Sequence, residues 1–181
     1  LAFARQQTDS VSPGAVDAAN PLDSVPASRI EGDFRRTMAG LSLRRSIGGF
    51  RLITSVEIEV EDADNAGSID LGQPQLTSTA FDLRRQSRSL ALEAFRQKSG
   101  LNLHAAVRLD GGDDFSAKWS PRLGARYQSP STGTILALSW SQAFKQPSLY
   151  AIGNPLVGNA NLTSETSWTL DAGVTQSVVI G

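Results

Sequence analysis

The chain contains no cysteine and only one histidine, His104. Without cysteine there is no disulfide framework, and a zinc site of the Cys/His type lacks its ligands, so a metal could be held only by oxygen atoms. The 181 residues carry a formal net charge of -1, which is too neutral for a typical nucleic-acid-binding surface. The composition therefore predicts no nucleic-acid partner, and we expect neither a metal site nor a cofactor.

Long apolar runs are missing too. No segment approaches the roughly 18 consecutive apolar residues of a membrane-spanning helix, and residues 1–7 lack the basic and apolar regions of a signal peptide. A transmembrane β-strand needs only about 9–11 residues with one apolar face, so these absences leave a membrane location open.

Catalytic motifs are equally scarce. The sequence has neither a Gly-x-Ser-x-Gly elbow nor a phosphate-binding glycine loop, and its one histidine has no evident catalytic partner. We therefore expect that the protein is not an enzyme.

The strongest pattern in the sequence is an alternation with a period of two residues. In residues 50–61 apolar side chains occupy one face of a strand, while Glu57, Glu59 and Glu61 collect on the other. Similar alternation recurs further along the chain, and it predicts an all-β, antiparallel up-and-down meander without a helix. The eight predicted strands span residues 1–7, 33–45, 50–61, 79–97, 101–110, 116–128, 134–145 and 166–178.

The connections between these strands differ in length according to the edge on which they fall. Long loops at 8–32, 62–78 and 146–165 lie on one edge, and the tight turns at 46–49 and 98–100 lie on the other. Short periplasmic turns and longer extracellular loops are typical of outer-membrane β-barrels.

Aromatic residues are placed as a barrel requires. Trp119 and Tyr127 share the outward face of one strand, and their separation corresponds to roughly 19 Å of height for a strand tilted by about 45°. That height approaches the apolar band of about 25 Å that aromatic girdles flank. Trp168, at the loop end of the last strand, fits the outer girdle.

Three separated motifs resemble the barrel domain of TonB-dependent receptors. They are Ser-Pro-Arg-Leu-Gly at 120–124, Phe-x-x-Pro-Ser at 144–148 and a loop signature at 158–167. The family usually has prolines in the last motif where this chain has Ala160 and Ser164, which affects the stiffness of the loop. The resemblance is strong over 115–173, whereas residues 1–114 match only as generic barrel strands.

The resemblance implies part of a transmembrane β-barrel in the bacterial outer membrane. Such receptors have about 22 strands around a plugged lumen, so we expect residues 1–181 to form a partial barrel, with the plug domain and the remaining strands outside it. The complete receptor would bind a scarce extracellular solute (siderophore, cobalamin or oligosaccharide) and import it with energy from the TonB complex, which contacts the plug. Two alternatives stay open: a porin-like or small structural outer-membrane barrel, and a soluble β-sandwich binding module.

Several side chains are candidates for function. Tyr150, Asn154 and Asn159 lie in a long loop and are predicted to face the ligand. Arg84 and Arg88 project outward above the apolar band, where they could bind lipopolysaccharide phosphates. The predicted lumen-facing set is Arg36, Glu57, Glu59, Glu93, His104, Arg108, Arg122 and Arg126.

Within the lumen-facing set, Arg36 could lie opposite Glu59, and His104 is within reach of Glu93 across their hairpin. A lone histidine is more often a structural hydrogen-bonding residue than a proton carrier. The acidic segment 62–67 fails the calcium-loop pattern at Ala66 and Gln73, and is predicted to be a solvated loop.

Overall fold

The computed structural model describes residues 2–15 and 25–176. These residues form one nine-stranded antiparallel sheet, in which the strands follow the order β1-β2-β3-β5-β6-β7-β8-β9 and β4 pairs with β3. The strands are β1 (Ala2–Ser12), β2 (Ser28–Ile47), β3 (Phe50–Ile69), β4 (Thr77–Ser78), β5 (Phe81–Lys98), β6 (Leu101–Gly112), β7 (Lys118–Gln128), β8 (Ile135–Lys145) and β9 (Glu165–Thr175). The structure confirms the predicted all-β, antiparallel meander.

The described chain comprises two compact units. The first takes its residues from Leu1–Met38, Glu59–Gln86 and Pro147–Thr163. The second takes them from Ala39–Ile58, Ser87–Gln146 and Ser164–Gly181.

Two tight hairpin turns set the strand register of the second unit. Gly48 and Gly49 have φ of 58° and 80°, and Ser99 and Gly100 have φ of 48° and 81°. Positive φ at both central residues is the signature of the type I′ turn, whose twist matches that of the flanking strands. Gly100 is also required by packing, because a Cβ there would lie 2.5 Å from the carbonyl oxygen of Gln128.

The strand register places large apolar side chains on one face of the second unit. Trp119 pairs with Leu109, and Tyr127 pairs with Leu101. We call the face of the sheet that carries these side chains the apolar face and the opposite face of the sheet the polar face. The exposed members of the apolar face include Leu90, Leu92, Leu101, Leu103, Trp119, Leu123, Tyr127, Leu136, Leu138, Trp168, Leu170 and Val174.

These apolar side chains have no protein core to pack in. Trp119 is 58% exposed and Trp168 is 70% exposed. Among the described residues only Ala63 and Leu149 are buried hydrophobic side chains, and both belong to the first unit. A soluble two-layer protein would cover such a face with a second layer. The exposed apolar face is therefore suited to an apolar surrounding medium.

The first three long strands are longer than predicted. β1 continues to Ser12, β2 begins at Ser28 and β3 runs to Ile69. Much of the predicted loops 8–32 and 62–78 is therefore strand, and the acidic segment 62–67 belongs to β3 rather than to a loop. The alternation fades there because both faces carry polar residues, while the backbone pairing of β1 with β2 continues to Ser12 and Ser28.

One element of the predicted loop 146–165 has regular structure. This element is a single turn of helix, α1 (Leu149–Gly153), where the sequence predicted no helix. Within the described residues, no helix has the length and apolar character needed to cross a membrane. Residue 1, the centre of loop 8–32 at 16–24 and the end of the predicted last strand at 177–178 lie outside the described residues.

A cluster of three charges ties β1 to β2 in the first unit. Asp33 accepts two hydrogen bonds from Arg5, at 2.9 and 2.8 Å, and two from Arg35, at 3.1 and 2.7 Å. Arg5 and Arg35 are directly paired across the strands, so the carboxylate separates two like charges that would otherwise repel each other. Hydrogen bonds from Arg5 and then Arg35 lower the pKa of Asp33 to about 2.

This cluster predicts an acid-sensitive β1–β2 pairing. Because the pKa of Asp33 is lower in the folded protein than its usual value of 3.8, the contribution of the cluster is complete above that value and is lost as the pH falls through about 2. We expect the hydrogen-exchange protection factors of the β1 amides to fall several-fold between about pH 5 and about pH 2. In Asp33→Asn the protection should be low at both pH values, and unchanged protection in the unsubstituted protein would contradict the role of Asp33.

Candidate functional site

The segment that follows β8, loop 146–165, has a defined backbone structure. Proline at position 147 has no N–H to donate, so the strand ladder ends just after Lys145. Ser148 then caps the short helix α1, because its Oγ accepts a hydrogen bond of 3.1 Å from the N–H of Ala151. The backbone turns from strand to helix within three residues.

Two of the predicted ligand residues hold this loop together. Asn154 is buried, and its Oδ1 accepts hydrogen bonds from the N–H groups of Leu156 and Val157 at 2.9 and 3.1 Å. Asn159 donates its N–H to the carbonyl of Ala151 and accepts from Asn161 through its side chain. Both side-chain oxygens thus have partners within the loop, and a contact with ligand remains a prediction for both residues.

Helix α1 packs on the polar face of β5 in the first unit. Leu149 is only 3% exposed, and the ring of Tyr150 meets Phe81 edge-on with 5.8 Å between ring centroids. Gly153 allows this approach, because a Cβ would lie 2.6 Å from Cδ1 of Leu83 and 2.7 Å from Cδ2 of Phe81. The loop is therefore seated on the sheet by apolar contact.

A buried arginine fixes the start of the loop to the sheet. Arg85 is 6% exposed and donates from Nε to Glu61 at 2.9 Å and from Nη1 to the carbonyl of Pro147 at 2.9 Å. Glu61 is itself mostly covered. Because the guanidinium joins a strand carboxylate to a loop carbonyl, its removal would leave both acceptors without this donor.

The loop and the strands line an open cavity of about 270 Å³ in the first unit. Tyr150 lies in its wall and is 46% exposed, so part of the ring faces open space. Other wall residues include Gln6, Thr8, Phe34, Asn65, Phe81 and Leu149. Aromatic rings beside hydroxyl and amide groups form a surface suited to an amphiphilic solute.

The polar face of the first unit also brings Arg36 and Glu59 together. The arginine Nη2 donates to the glutamate Oε2, and the glutamate side chain is largely covered. The sequence analysis placed these residues on facing strands, and here they form an ion pair.

The polar face of the second unit carries a stacked group. The Arg51 guanidinium lies 4.8 Å from the ring centroid of Phe95, whose ring stacks on His104 with 4.3 Å between centroids. His104 Nε2 lies 3.3 Å from Glu93 Oε2. Each partner restricts the next, so the imidazole has a defined orientation.

Arg108 lies between two carboxylates of the same unit. It donates to Asp110 at 2.7 Å and to Glu57 at 3.1 Å. Arg122 pairs with Ala106 and Arg126 pairs with Asn102, on the same face as His104. The predicted polar side chains of this unit thus share one surface.

The two lipopolysaccharide candidates, Arg84 and Arg88, have few contacts within the described chain. Arg84 lies 3.7 Å from Asp62, and its side chain is 70% exposed. Arg88 pairs with Gly111 and shares the face of Leu90. Their binding of lipopolysaccharide stays a prediction.

Sequence reasoning missed the residues that seat the loop. No contact with the loop was predicted for Arg85, Glu61, Phe81 or Gly153. The alternation of side chains along β5 places Phe81 and Arg85 on its polar face. No sequence pattern indicated that a distant loop would cover them. No group of three or more metal-ligating side chains occurs among the residues that the structure describes.

A sheet that exposes apolar side chains on one face, pairs charges on the other and carries a long folded loop at one end defines the wall of a membrane β-barrel. The family described as TonB dependent receptor-like, beta-barrel, matches residues 1–178, and the chain belongs to this family. Its members are transporters and receptors of the bacterial outer membrane rather than enzymes. The resemblance seen in the sequence is thereby confirmed.

Two solved structures share the fold. The chain is similar to the copper transporter OprC with a TM-score of 0.68 and 15% identity, over 97% of this chain and 32% of that one. It is also similar to the siderophore receptor PirA from Pseudomonas aeruginosa with a TM-score of 0.64 and 19% identity, over 98% of this chain and 36% of that one. The chain therefore spans about a third of the length of these proteins. A search of curated protein sequences finds no match.

The arginine that fixes the loop can be tested against its neighbour. Arg85→Met should leave Glu61 and the Pro147 carbonyl without this donor and destabilise the loop by about 3 kcal/mol, as expected for a broken buried ion pair. Hydrogen exchange of the amides in 148–159 would report the change. Arg84→Met is the matched control, because its exposed ion pair is worth about 0–1 kcal/mol. Equal protection of the loop in both variants would contradict the role of Arg85.

Proposed function

We propose that this chain forms part of the barrel wall of an outer-membrane receptor that captures a scarce extracellular solute. Energy transmitted by TonB then drives import through the lumen. The chain's membership of the TonB-dependent receptor family supports this function. The observation that carries it is loop 146–165, which folds onto the polar face and forms a cavity wall with Tyr150.

The two faces of the sheet suit the two sides of a barrel wall. The apolar face would contact lipid, and the polar face would line the lumen, where charged side chains remain hydrated or paired. On this proposal Arg36, Glu57, Glu59, Glu93, His104, Arg108, Arg122 and Arg126 line the lumen. The plug domain, which would contact TonB, and the remaining strands belong to parts of the receptor beyond these 181 residues.

The solute is proposed as a small molecule or metal chelate. One similar structure is described as a siderophore receptor and another as a copper transporter, so the shared fold accommodates more than one cargo. We propose a ferric siderophore first, with cobalamin and oligosaccharide as the other candidates, and Tyr150, Asn154 and Asn159 as residues on the ligand side. The partly exposed Tyr150 ring beside Phe81 offers a stacking surface for a planar chelating group.

Uptake by the complete receptor provides the test. Import of labelled ferric siderophore, cobalamin or oligosaccharide should require both the receptor gene and TonB. For the imported solute, Tyr150→Ala should weaken binding about ten-fold, because truncating an aromatic residue at a binding centre typically costs 1–2 kcal/mol or more. Binding to outer-membrane preparations separates this effect from the import step.

Tyr127→Ala is the matched control, since it removes the same side chain from the apolar face and should leave solute binding unchanged. Import of the solute that persists without TonB would contradict energised transport and favour a porin-like barrel. A complete protein that stays monomeric in water without detergent would favour a soluble sandwich instead. Unchanged binding in Tyr150→Ala would remove that residue from the ligand site.

A further inference from the structure

The apolar face of β5 carries cations at both ends of a short apolar band. Leu90, Leu92 and Ala94 alternate along the strand, with Arg88 before them and Arg96 and Lys98 after them. From Arg88 to Lys98 the strand rises roughly 23 Å for a spacing of about 3.3 Å per residue and a tilt near 45°. This height is close to the apolar band of about 25 Å in outer-membrane barrels. Arg96 and Lys98 therefore lie at the membrane boundary on the tight-turn side.

These two cations are not neutralised by the described part of the chain. No described carboxylate lies within 4.0 Å of either side chain, whereas Arg36, Arg85 and Arg108 all have such a partner. Arg96 is nevertheless held in place, because its guanidinium lies 4.8 Å from the ring centroid of Phe50. An oriented, uncompensated cation of this kind favours an external anion.

A groove beside the two cations is lined by apolar side chains. Lys98 pairs with Leu101 and Arg96 with Leu103, and Leu101 pairs in turn with Tyr127. With Ser99 these residues line a groove of about 440 Å³, and Leu101, Leu103 and Tyr127 are each about 40% exposed. The two cations therefore lie beside a hydrocarbon surface.

This combination matches an amphiphile with an anionic head and an acyl tail. Arginine presents a fork of donors to phosphate oxygens, and lysine adds a second positive charge. The apolar groove would receive an acyl chain, while the amphipathic Tyr127 ring lies at the head-group level. A free anion would gain nothing from Leu101 and Leu103.

We propose that Arg96 and Lys98 bind the phosphate of an anionic phospholipid in the leaflet on the tight-turn side, with the acyl chain along Leu101 and Leu103. The site is distinct from the solute cavity and from the lipopolysaccharide candidates Arg84 and Arg88. The inference rests on the proposed membrane location of the chain.

The complete receptor in phosphatidylcholine nanodiscs, titrated with phosphatidylglycerol, tests the site. Native mass spectrometry would count the phosphatidylglycerol molecules that stay bound after release from the disc. Arg96→Gln with Lys98→Gln should weaken retention by about ten- to thirty-fold, as expected for two charges near a lipid head group. Exchange to Arg96→Lys with Lys98→Arg keeps both charges and should retain most of the binding.

Arg84→Gln with Arg88→Gln is the matched control, because it removes two cations from the same strand face at the other rim. Equal loss in this control, no loss in the Arg96 and Lys98 variant, or equal retention of phosphatidylcholine would overturn the proposal. Displacement of the lipid by inorganic phosphate would also overturn it, since the site would then bind the anion alone. Insertion into the nanodisc is scored separately, so failure of the membrane location is distinguishable from failure of the lipid site.

Discussion

The exposure of large apolar side chains on one face of the sheet is the constraint on which the other features depend. Burying a leucine-sized side chain is worth about 1.5–3 kcal/mol, yet Leu123, Trp119 and Trp168 are more than half exposed. A lipid environment, as proposed for this chain, would supply the missing apolar contact. Such an environment also requires every backbone N–H and C=O in the span to be paired. The long antiparallel ladders pair these groups between neighbouring strands, and the outer edges of β1 and β9, at the two ends of the sheet, have no partner among the described strands.

The opposite face follows from the same constraint. With the apolar residues on one face of each strand, the alternate positions carry charge, and most of the described charges there have partners. Glu57, Glu59 and Glu61 form ion pairs with Arg108, Arg36 and Arg85, respectively. The Arg85 pair also holds the carbonyl of Pro147, so an interaction of the wall fixes the start of loop 146–165 to the sheet. The position of Tyr150, and with it the proposed capture of solute, thus depends on a strand residue.

Much of the fold was predictable from the sequence, because period-two alternation and turn composition are local. The strands over 101–110 and 134–145 were located almost to the residue, as were the turns at Gly48–Gly49 and Ser99–Gly100. Alternation failed beyond Glu61 and before Asp33, where both faces of the strands are polar and only backbone pairing defines the strand. Arg36 and Glu59 were placed by parity and do meet. The Arg85–Pro147 contact joins residues 62 positions apart, and no local pattern indicates it. Helix α1 is a single turn of five residues, too short to show a helical period.

The central claim is that the apolar face contacts lipid and the polar face contacts an aqueous lumen. Because these 181 residues contain no cysteine, single spin labels can be attached at engineered cysteines here once any cysteine elsewhere in the receptor has been replaced by alanine. Labels at Leu123→Cys and at its neighbour Arg122→Cys, in the complete receptor in lipid bilayers, would report collision with oxygen, which partitions into lipid, and with a water-soluble nickel chelate. The account predicts high oxygen and low nickel accessibility at 123, with the reverse at 122. Equal accessibility of the two labels to the nickel chelate would contradict it.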